Sequence, residues 1–318
     1  MNLLEHAFRR LAQMVPTLWG LTLAVFLVMR VIPGDAAVAM LEDSPTAAQK
    51  DAIRAELGLD KSLPEQYLTW VGGLLRGDLG TSFWTNSSVT SEISRAAPVT
   101  IELALFASSA AILIGLPIGI LSAIKQNTAW DYAGRSISIL ALSIPNFWLG
   151  TLAILLPALY LGWVPPSTYI PLWEDPLHNL NQFWLPTLVA GLSASGALTR
   201  MTRSAMLEVL REDYIRTARA KGLSPFVVVR SHALKNAMIP VVTMFGTLLA
   251  GMLTGSVITE TIFNLPGFGR LTINAISQRD YPLIQSTVLL FGVVYVMINL
   301  VVDLSYAFLN PRIRLGGS

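Results

Sequence analysis

The residue types that carry out catalysis or bind metals are scarce in this chain. It contains no cysteine, which excludes a disulfide framework, a thiolate metal site and a catalytic thiol. Its histidines, His6, His178 and His232, lie far apart in the sequence, which argues against a histidine-built metal site. The G-x-x-x-x-G-K-[ST] loop that cradles nucleotide phosphates is also absent. We therefore expect no enzymatic activity, no metal and no cofactor bound by the chain itself, so energy must come from a partner or an ion gradient.

Acidic residues within apolar segments are the remaining candidates for chemistry, because they can carry protons across a membrane. Glu102, Glu260 and Asp303 are the residues concerned. Each falls near one end of its apolar segment, whereas proton-coupled sites usually lie at the bilayer midplane. A proton-coupled secondary transporter therefore remains a distant alternative, and a scaffold or sensor is a third.

The most informative stretch, from Thr199 to Ile239, mixes charged and apolar residues. Its eight basic residues are more than is needed to fix the orientation of a membrane protein. Apolar residues recur at helical spacing until Lys221, and Gly222 followed by Pro225 indicates that one helix ends there and another begins near Ser224. We call residues 213–222 the elbow. Its candidate docking residues are Asp213, Tyr214, Arg216, Thr217, Ala218, Arg219, Ala220, Lys221 and Gly222.

Two short helices meeting at a glycine would form a rigid protrusion suited to docking. The small residues Thr217, Ala218 and Ala220 would let a partner approach the backbone, and the surrounding arginines could pair with its carboxylates. The alternative is a basic loop that only enforces topology.

A proline- and glycine-rich turn is the second candidate site. Residues 263–270 are expected to form a re-entrant or amphipathic segment at the outer face. The turn could act as an external gate, with simple loop closure as the alternative. The residues concerned are Glu260, Phe263, Pro266, Gly267 and Gly269.

The elements that must position these residues are apolar helices. Hydrophobic residues make up 53% of the chain and charged residues only 13%, about half the charged share of a soluble domain. Such a chain needs lipid as a solvent, and a spanning helix takes roughly 20 mostly apolar residues. We predict six spans, of which the fourth is the weakest, at about 11–32, 99–124, 133–161, 183–198, 238–263 and 283–309. The first could be a signal peptide, but its length of about 22 residues favours a retained helix.

The distribution of Lys and Arg predicts the orientation. The connections that include the elbow carry about twice as many basic residues as the connections on the opposite side. The positive-inside rule then places both termini and the elbow in the cytoplasm. The segment from Pro33 to Pro98 lies outside, where a capping-box pattern from Thr46 to Gln49 predicts a short helix in a small external cap.

Internal features of the spans suggest how they pack. Gly115-x-x-x-Gly119 and Gly251-x-x-x-Gly255 would allow close helix approach, and Pro117 and Pro145 could kink their helices. Bundle packing is the favoured interpretation of these residues, and a gating hinge is the alternative. Several polar or amphipathic residues at membrane depth could line a path or bond to neighbouring helices: Asn146, Trp148, Ser193, Ser195, Thr243 and Thr254.

The elbow sequence resembles the cytoplasmic signature loop of binding-protein-dependent ABC permeases, most closely the dipeptide, oligopeptide and nickel branch. The resemblance is carried by EDYIRTARAKG and HALKNAMIP. Aligned on Gly222, the general family signature is matched at Ala218, Gly222 and Leu234, and the departures are those of the peptide branch. Further matches span most of the chain: RRL at 9–11, IPGD at 32–35, GDLG at 77–80, PGFGR at 266–270, RDYP at 279–282 and NPRIR at 310–314.

The resemblance implies an all-α integral membrane protein with the type I architecture of ABC importer permeases. It would have six transmembrane helices and an external cap between helices 1 and 2. Residues 1–98 would hold the first helix and the extracytoplasmic segment, residues 99–309 a five-helix core with a coupling loop at 200–237, and residues 310–318 a cytoplasmic tail.

The resemblance also implies partners and a cargo. A second permease subunit would complete a heterodimer, two cytoplasmic ATPase subunits would bind the ATP, and an extracytoplasmic solute-binding protein would deliver the substrate. The elbow would sit in a cleft of the ATPase, whose closure would rock the helices between inward- and outward-facing states. The expected cargo is a di- or oligopeptide crossing the lipid bilayer of the cell inner membrane, with glutathione or nickel as the alternative. No nucleic acid is expected to bind.

Overall fold

The computed structural model describes residues 3–31, 54–55, 58–166 and 168–309. Within these ranges the regular structure is helical, apart from an isolated antiparallel bridge between Thr81 and Ser88, so the predicted all-α class is confirmed. A π-helical turn, Val228–Ala233, joins the helices Pro225–Val227 and Leu234–Gly255. The helices are α1 Leu3–Val31, α2 Leu63–Leu75, α3 Val89–Ile124, α4 Ala129–Ser143, α5 Asn146–Leu161, α6 Pro176–Leu210, α7 Asp213–Ala220, α8 Pro225–Val227, α9 Leu234–Gly255, α10 Val257–Ile262, α11 Phe268–Gln278 and α12 Tyr281–Leu309.

Among the described helices, four stretches are long and apolar enough to cross a bilayer: Leu11–Val31, Val89–Ile124, Pro225–Thr254 and Tyr281–Val302. Helices α4 and α5 make a fifth span if the pair counts as one, although the chain bends by 92° between them. The bend falls at Pro145, where no backbone N–H is available to continue the helix.

Whether the chain has the predicted six spans depends on helix α6. Its 35 residues are long enough to cross a bilayer, but it is less apolar than the four stretches named above. It corresponds to the span predicted to be weakest, and the count of six therefore stays a prediction.

Helices α3 and α6 both begin well before the apolar pattern indicates, as α1 does at Leu3. Helix α3 begins at Val89 rather than Val99, and the Ser88 side chain accepts a hydrogen bond from the first turn. Helix α6 begins at Pro176 rather than near residue 183, and Asp175 accepts a hydrogen bond from the N–H of His178. Polar first turns lower the local hydropathy, but their caps satisfy the free N–H groups of the helix. The short helix predicted after Thr46 lies outside the described residues.

Helices α3 and α6 make the largest helix contact in the bundle. A Cβ atom at Gly115 would lie 2.9 Å from the carbonyl oxygen of Ser195, and one at Gly119 would lie 2.7 Å from Cβ of Thr202. This confirms the close approach predicted from Gly115-x-x-x-Gly119. At Gly251, by contrast, nothing in the described chain lies within 4 Å of the position of a Cβ atom.

Irregular and polar segments gather at the two ends of the bundle. The elbow end holds the turn between α3 and α4 and the chain from the end of α6 through α7 to the start of α9, packed around Met206 and Ile215. The cap end holds α2, residues 77–88, the loop before α6 and the turn between α10 and α11. Two buried clusters lie there, one around Val99 and Phe183 and another around Phe268.

Candidate functional site

The elbow is formed by α7 and the turn that follows it. Glu212, in an extended conformation, separates α7 from α6. At the other end Gly222 has φ +79°, a left-handed conformation that favours glycine, and its N–H donates to the carbonyl of Arg219 at 3.0 Å. Ser224 then caps the next helix, with Pro225 in its first turn. The predicted helix end near Lys221 and the new start near Ser224 are confirmed.

One face of the elbow is buried and the other is exposed. Ile215 is fully buried and Ala218 is 6% exposed, and both belong to the buried cluster that contains Val228. Ala218 therefore packs against its own chain, whereas the sequence suggested that it would face a partner. The remaining residues of the elbow are exposed: Asp213, Tyr214, Arg216, Thr217, Arg219, Ala220, Lys221 and Gly222.

Sequence reasoning missed the apolar part of this surface. Phe226 is 69% exposed and Leu223 is 38% exposed, on either side of the capping Ser224. The Arg230 guanidinium lies 6.0 Å from the centre of the Phe226 ring. Aromatic and arginine side chains are enriched at protein interfaces. The sequence does contain a signal for this apolar surface, because Leu223 and Phe226 flank a helix cap within an otherwise polar loop.

A side-chain hydrogen bond ties the elbow to the bundle. Asn236 Nδ2, in the first turn of α9, donates to the Tyr214 hydroxyl at 2.7 Å. Asp213 and Arg216 form an ion pair at 2.8 Å, but both side chains are largely exposed, so the pair contributes little stability. The orientation of α7 is thus set by its buried face and by Tyr214.

A buried ion pair lies behind the elbow. Arg203 Nε and Nη2 donate to the two carboxylate oxygens of Asp131 at 2.7 and 2.8 Å. The Asp131 side chain is fully buried and that of Arg203 is 21% exposed. The same carboxylate accepts the backbone N–H of Asn127 at 3.0 Å, in the turn between α3 and α4. A bidentate pair has strict geometry, so it fixes the start of α4 against the end of α6.

The cap-end turn, residues 263–270, is organised around the Glu260 carboxylate, which is fully buried. Its Oε1 accepts hydrogen bonds from the hydroxyls of Thr100 and Ser256, both at 2.6 Å. Its Oε2 accepts the backbone N–H of Arg270 at 2.9 Å. The Thr100 hydroxyl accepts the N–H of Phe268 at 2.7 Å. The carboxylate therefore joins α3, the end of α9 and the start of α11.

Glu260 also supplies the cap that α11 lacks. The N-cap residue of α11 is Gly267, which has no side chain. A Cβ atom at Gly267 would overlap the Glu260 carboxylate. A negative charge at a helix N-terminus satisfies free N–H groups and is favoured by the helix dipole. Space is equally tight at Gly269, where a Cβ atom would lie 2.8 Å from Cα of Val257.

The structure thus brings most of the predicted gate residues into one packed unit. Phe263, Gly267 and Gly269 are buried with Glu260, while Pro266 is exposed at the surface of the turn. The partners Thr100 and Ser256 were not among the predicted site residues.

A cavity of about 280 Å³ lies within the bundle below this turn, between α3, α6 and α9. None of the described residues that line it is charged. Its polar lining consists of Asn146, Ser193, Thr247, Ser256 and Thr259. Ser256 therefore contributes both to the cavity wall and to the binding of Glu260.

The polar or amphipathic residues predicted at membrane depth have three different surroundings. Asn146 and Ser193 line the bundle cavity. The hydroxyls of Ser195, Thr243 and Thr254 donate to backbone carbonyls of their own helices. Trp148 is half exposed.

The candidate proton carriers do not line the bundle cavity within the described chain. Glu102 accepts a hydrogen bond from the Tyr169 hydroxyl at 2.9 Å. Burial, together with this bond and the charge of Glu102, raises the pKa of Tyr169. The side chain of Asp303 lies outside the described residues. The described His, Asp and Glu side chains form no group of three that could bind a metal ion.

Two family models match the chain. The first is described as the binding-protein-dependent transport system inner membrane component and matches residues 115–315. The second describes the N-terminal part of such a membrane component and matches residues 3–104. Together they cover both the cap end and the elbow end.

Curated proteins are similar over almost the whole length. The chain is 42% identical to the di/tripeptide transport system permease protein DppB of Pseudomonas aeruginosa, covering 98% of this chain and 99% of that protein. It is 40% identical to a putative peptide transport system permease protein of Brucella abortus, covering 96% and 98%. It is 38% identical to the dipeptide transport system permease protein DppB of Escherichia coli, covering 98% and 99%.

Solved structures show the same fold at lower identity. A structure of the MetNI methionine ABC transporter in an inward-facing conformation has a TM-score of 0.56 and 20% identity, covering 69% of this chain and 96% of that one. An amino acid ABC transporter has a TM-score of 0.54 and 15% identity, covering 68% and 92%. At this identity the similarity concerns the fold alone.

Proposed function

We propose a peptide cargo and an ATP-driven mechanism for this chain, which belongs to the family of binding-protein-dependent transport system inner membrane components. It is a permease of an ABC importer and a multi-pass membrane protein. The peptide cargo is supported chiefly by the 42% identity, over 98% of the chain, to a permease named for di- and tripeptide transport.

The proposed assembly has several subunits. This chain pairs with a second, similar permease, and two ATPase subunits at the elbow end bind and hydrolyse the ATP, so that the chain needs no cofactor of its own. A solute-binding protein delivers the peptide at the cap end. The excess of Lys and Arg at the elbow end supports a cytoplasmic elbow and cytoplasmic termini.

The elbow is the proposed docking surface for an ATPase subunit. It presents exposed cationic side chains, among them Arg219, next to the exposed apolar side chains Leu223 and Phe226. Its buried face and the Tyr214–Asn236 hydrogen bond hold α7 firmly on the bundle. A displacement of the ATPase would therefore move α7 and the start of α9 together as a rigid body.

The cap-end turn is the proposed external gate, acting through Glu260, Phe263, Pro266, Gly267 and Gly269. The bundle cavity beneath it is this chain's share of the path, and its uncharged polar lining suits a peptide backbone. Opening would require Glu260 to move away from Thr100, since their hydrogen bond of 2.6 Å joins the turn to α3. Ser256 lies only four residues before Glu260 and would move with it.

A reconstitution experiment tests the function. The chain is placed in liposomes with the second permease, the ATPases, the binding protein and internal ATP, and uptake of a labelled dipeptide is measured. Uptake is expected only when ATP and the ATPase subunits are both present. Accumulation of the dipeptide without the ATPases would contradict the proposal.

The docking role of the elbow is tested by Phe226→Ala. Loss of a buried aromatic anchor from an interface typically costs about 2 kcal/mol or more, so the affinity for the ATPase should fall by roughly thirtyfold. The matched control is Leu75→Ala, since Leu75 is 85% exposed but lies on α2 at the opposite end. Equal co-purification of the ATPase with both variants would remove Phe226 from the docking surface.

A further inference from the structure

A larger cavity, of about 650 Å³, lies at the cap end. It is half open and is lined by the end of α1, residues 58–61, α2, residues 81–86 and the start of α12, and the described residues that line it do not line the bundle cavity. Its volume is within the range of small-molecule binding sites. Neither the elbow nor the cap-end turn contributes to it.

Three nitrogen donors of this wall are buried and have no hydrogen-bond partner within the described chain: Arg30 Nη1, Trp70 Nε1 and Gln285 Nε2. Gln285 is only 5% exposed. Buried N–H groups in native proteins are almost always paired, because leaving one unpaired costs free energy. Three unpaired donors on one cavity therefore indicate a ligand that brings acceptor atoms.

The Arg30 side chain is fixed in position. Its Nε donates to Gln66 Oε1 at 3.0 Å, and its guanidinium lies 4.6 Å from the centre of the Phe26 ring. A guanidinium held at one edge and one face keeps Nη1 in a defined position, where it could pair with a planar oxyanion after a small local movement.

The charge of the cavity favours an anion. Among the described lining residues the charged ones are Arg30 and Lys61, and none is Asp or Glu. Asp280, beside the lining residue Tyr281, is fully buried and accepts the hydroxyl proton of Ser82 at 2.5 Å. Because Ser82 itself lines the cavity, the Asp280 carboxylate lies directly behind the wall and offsets one of the two cations, which leaves one cation in excess around the cavity.

The rest of the lining suits an organic ligand better than a bare ion. Leu59, Trp70, Phe83 and Pro282 supply apolar and aromatic surface around the donors. Pockets that bind organic molecules combine a mainly apolar wall with a few convergent polar groups.

We propose that the cap-end cavity binds the free carboxylate of a peptide, with Arg30, Trp70 and Gln285 as the donors to its oxygens. The choice of a peptide rests on the proposed function, which also places this cavity on the outer side of the membrane. The cavity would then hold a peptide beside the permease before it enters the path.

The test uses the assembled transporter in phosphatidylcholine nanodiscs without the binding protein. Calorimetry measures the binding of the dipeptide Ala-Phe and of its C-terminal amide. The acid is expected to bind at least tenfold more tightly than the amide, since only the acid carries the oxyanion. Equal affinities, or no binding of either, would overturn the proposal.

Gln285→Leu keeps the approximate volume of the side chain and removes one donor. We expect it to weaken binding of the acid by about tenfold and to leave binding of the amide nearly unchanged. The control is Gln278→Leu, at an exposed position outside the cavity, where binding of the acid should not change. An unchanged affinity for the acid in Gln285→Leu would overturn the assignment.

Two further outcomes separate the possible failures. If phosphatidylglycerol binds in a manner that depends on Gln285 and the dipeptide does not bind, the cavity holds a lipid phosphate and the peptide assignment is wrong. If ATP-driven uptake of Ala-Phe proceeds normally while acid and amide bind equally, only the cavity assignment fails. Absence of that uptake would instead refute the proposed cargo.

Discussion

At the scale of single residues, two buried carboxylates organise the two ends of the bundle by different means. At the elbow end, Asp131 pairs with the cation of Arg203. At the cap end, Glu260 is held by neutral donors, two hydroxyls and a backbone N–H group. An ion pair with bidentate geometry resists displacement, whereas hydroxyl groups can rotate to other partners. This difference suits a fixed support behind the elbow and a releasable contact at the turn.

Removal of Asp131 should destabilise the protein strongly. Asp131→Ala leaves the partly buried Arg203 without its counter-ion, and the cost should be at the lower end of about 3–5 kcal/mol because the Arg203 side chain is 21% exposed. The double variant Asp131→Ala/Arg203→Met should lose less than the sum of the single variants Asp131→Ala and Arg203→Met. Thermal unfolding in detergent measures the stability of the parent, the two single variants and the double variant. Additive losses of stability would show that the two side chains are not coupled.

Removal of Glu260 should loosen the start of α11. Glu260→Ala leaves the N–H of Arg270 without its acceptor, and losing a helix cap typically costs about 0.5–2 kcal/mol. Hydrogen exchange of the amides in the first turn of α11 should accelerate by roughly tenfold. Amides in the middle of α3 serve as an internal reference, and unchanged exchange at Arg270 would contradict the capping role of Glu260.

At the scale of elements, the ends of several helices were predictable because their caps are local. Gly222, Ser224 and Pro225 mark the elbow by sequence spacing alone. The buried centres were not predictable in this way, since Glu260 and Thr100 are 160 residues apart in the chain, and Asp131 and Arg203 are 72 apart. Only the packed bundle brings these partners together.

The contact between α3 and α6 explains why two similar glycine patterns differ. Gly119 faces the backbone of α6, whereas Gly251 lines the bundle cavity and has no neighbour within 4 Å of a Cβ position. The sequence pattern is the same in both cases. Which face of a helix meets a neighbour depends on the tertiary arrangement, which the pattern does not contain.

A pair of alanine substitutions tests this difference. Gly119→Ala should lower the free energy of unfolding by about 1–3 kcal/mol, because the added methyl group overpacks the contact. Gly251→Ala should be neutral or stabilising by up to about 1 kcal/mol, since alanine favours the helix. Thermal unfolding of the two variants in the same detergent measures both, and equal losses would contradict the close contact at Gly119.

At the scale of the whole molecule, the two ends of the bundle are chemically distinct. The elbow end gathers basic side chains around a short exposed helix, and the cap end carries α2, the cap-end turn and the larger cavity. A transporter that receives energy on one side and substrate on the other needs such a polarity.

Single cysteines test the orientation, because the chain has no cysteine of its own. Arg219→Cys places a thiol on the exposed elbow, and Arg76→Cys places one on the exposed end of α2. A membrane-impermeant maleimide should label Arg76→Cys in intact spheroplasts and Arg219→Cys only in inverted vesicles. The opposite labelling pattern would reverse the proposed topology.

The helical stretch Pro225–Thr254, which includes the π-helical turn, runs from just beyond the elbow almost to Ser256. Its 30 residues span about 45 Å, and each residue advances the helix by about 1.5 Å and turns it by roughly 100°. An insertion or deletion of one residue within it would swing the Glu260 carboxylate away from Thr100 of α3 while leaving the elbow itself intact. The number of residues in this segment is therefore constrained. Homologous chains should differ here by substitutions but not by insertions or deletions.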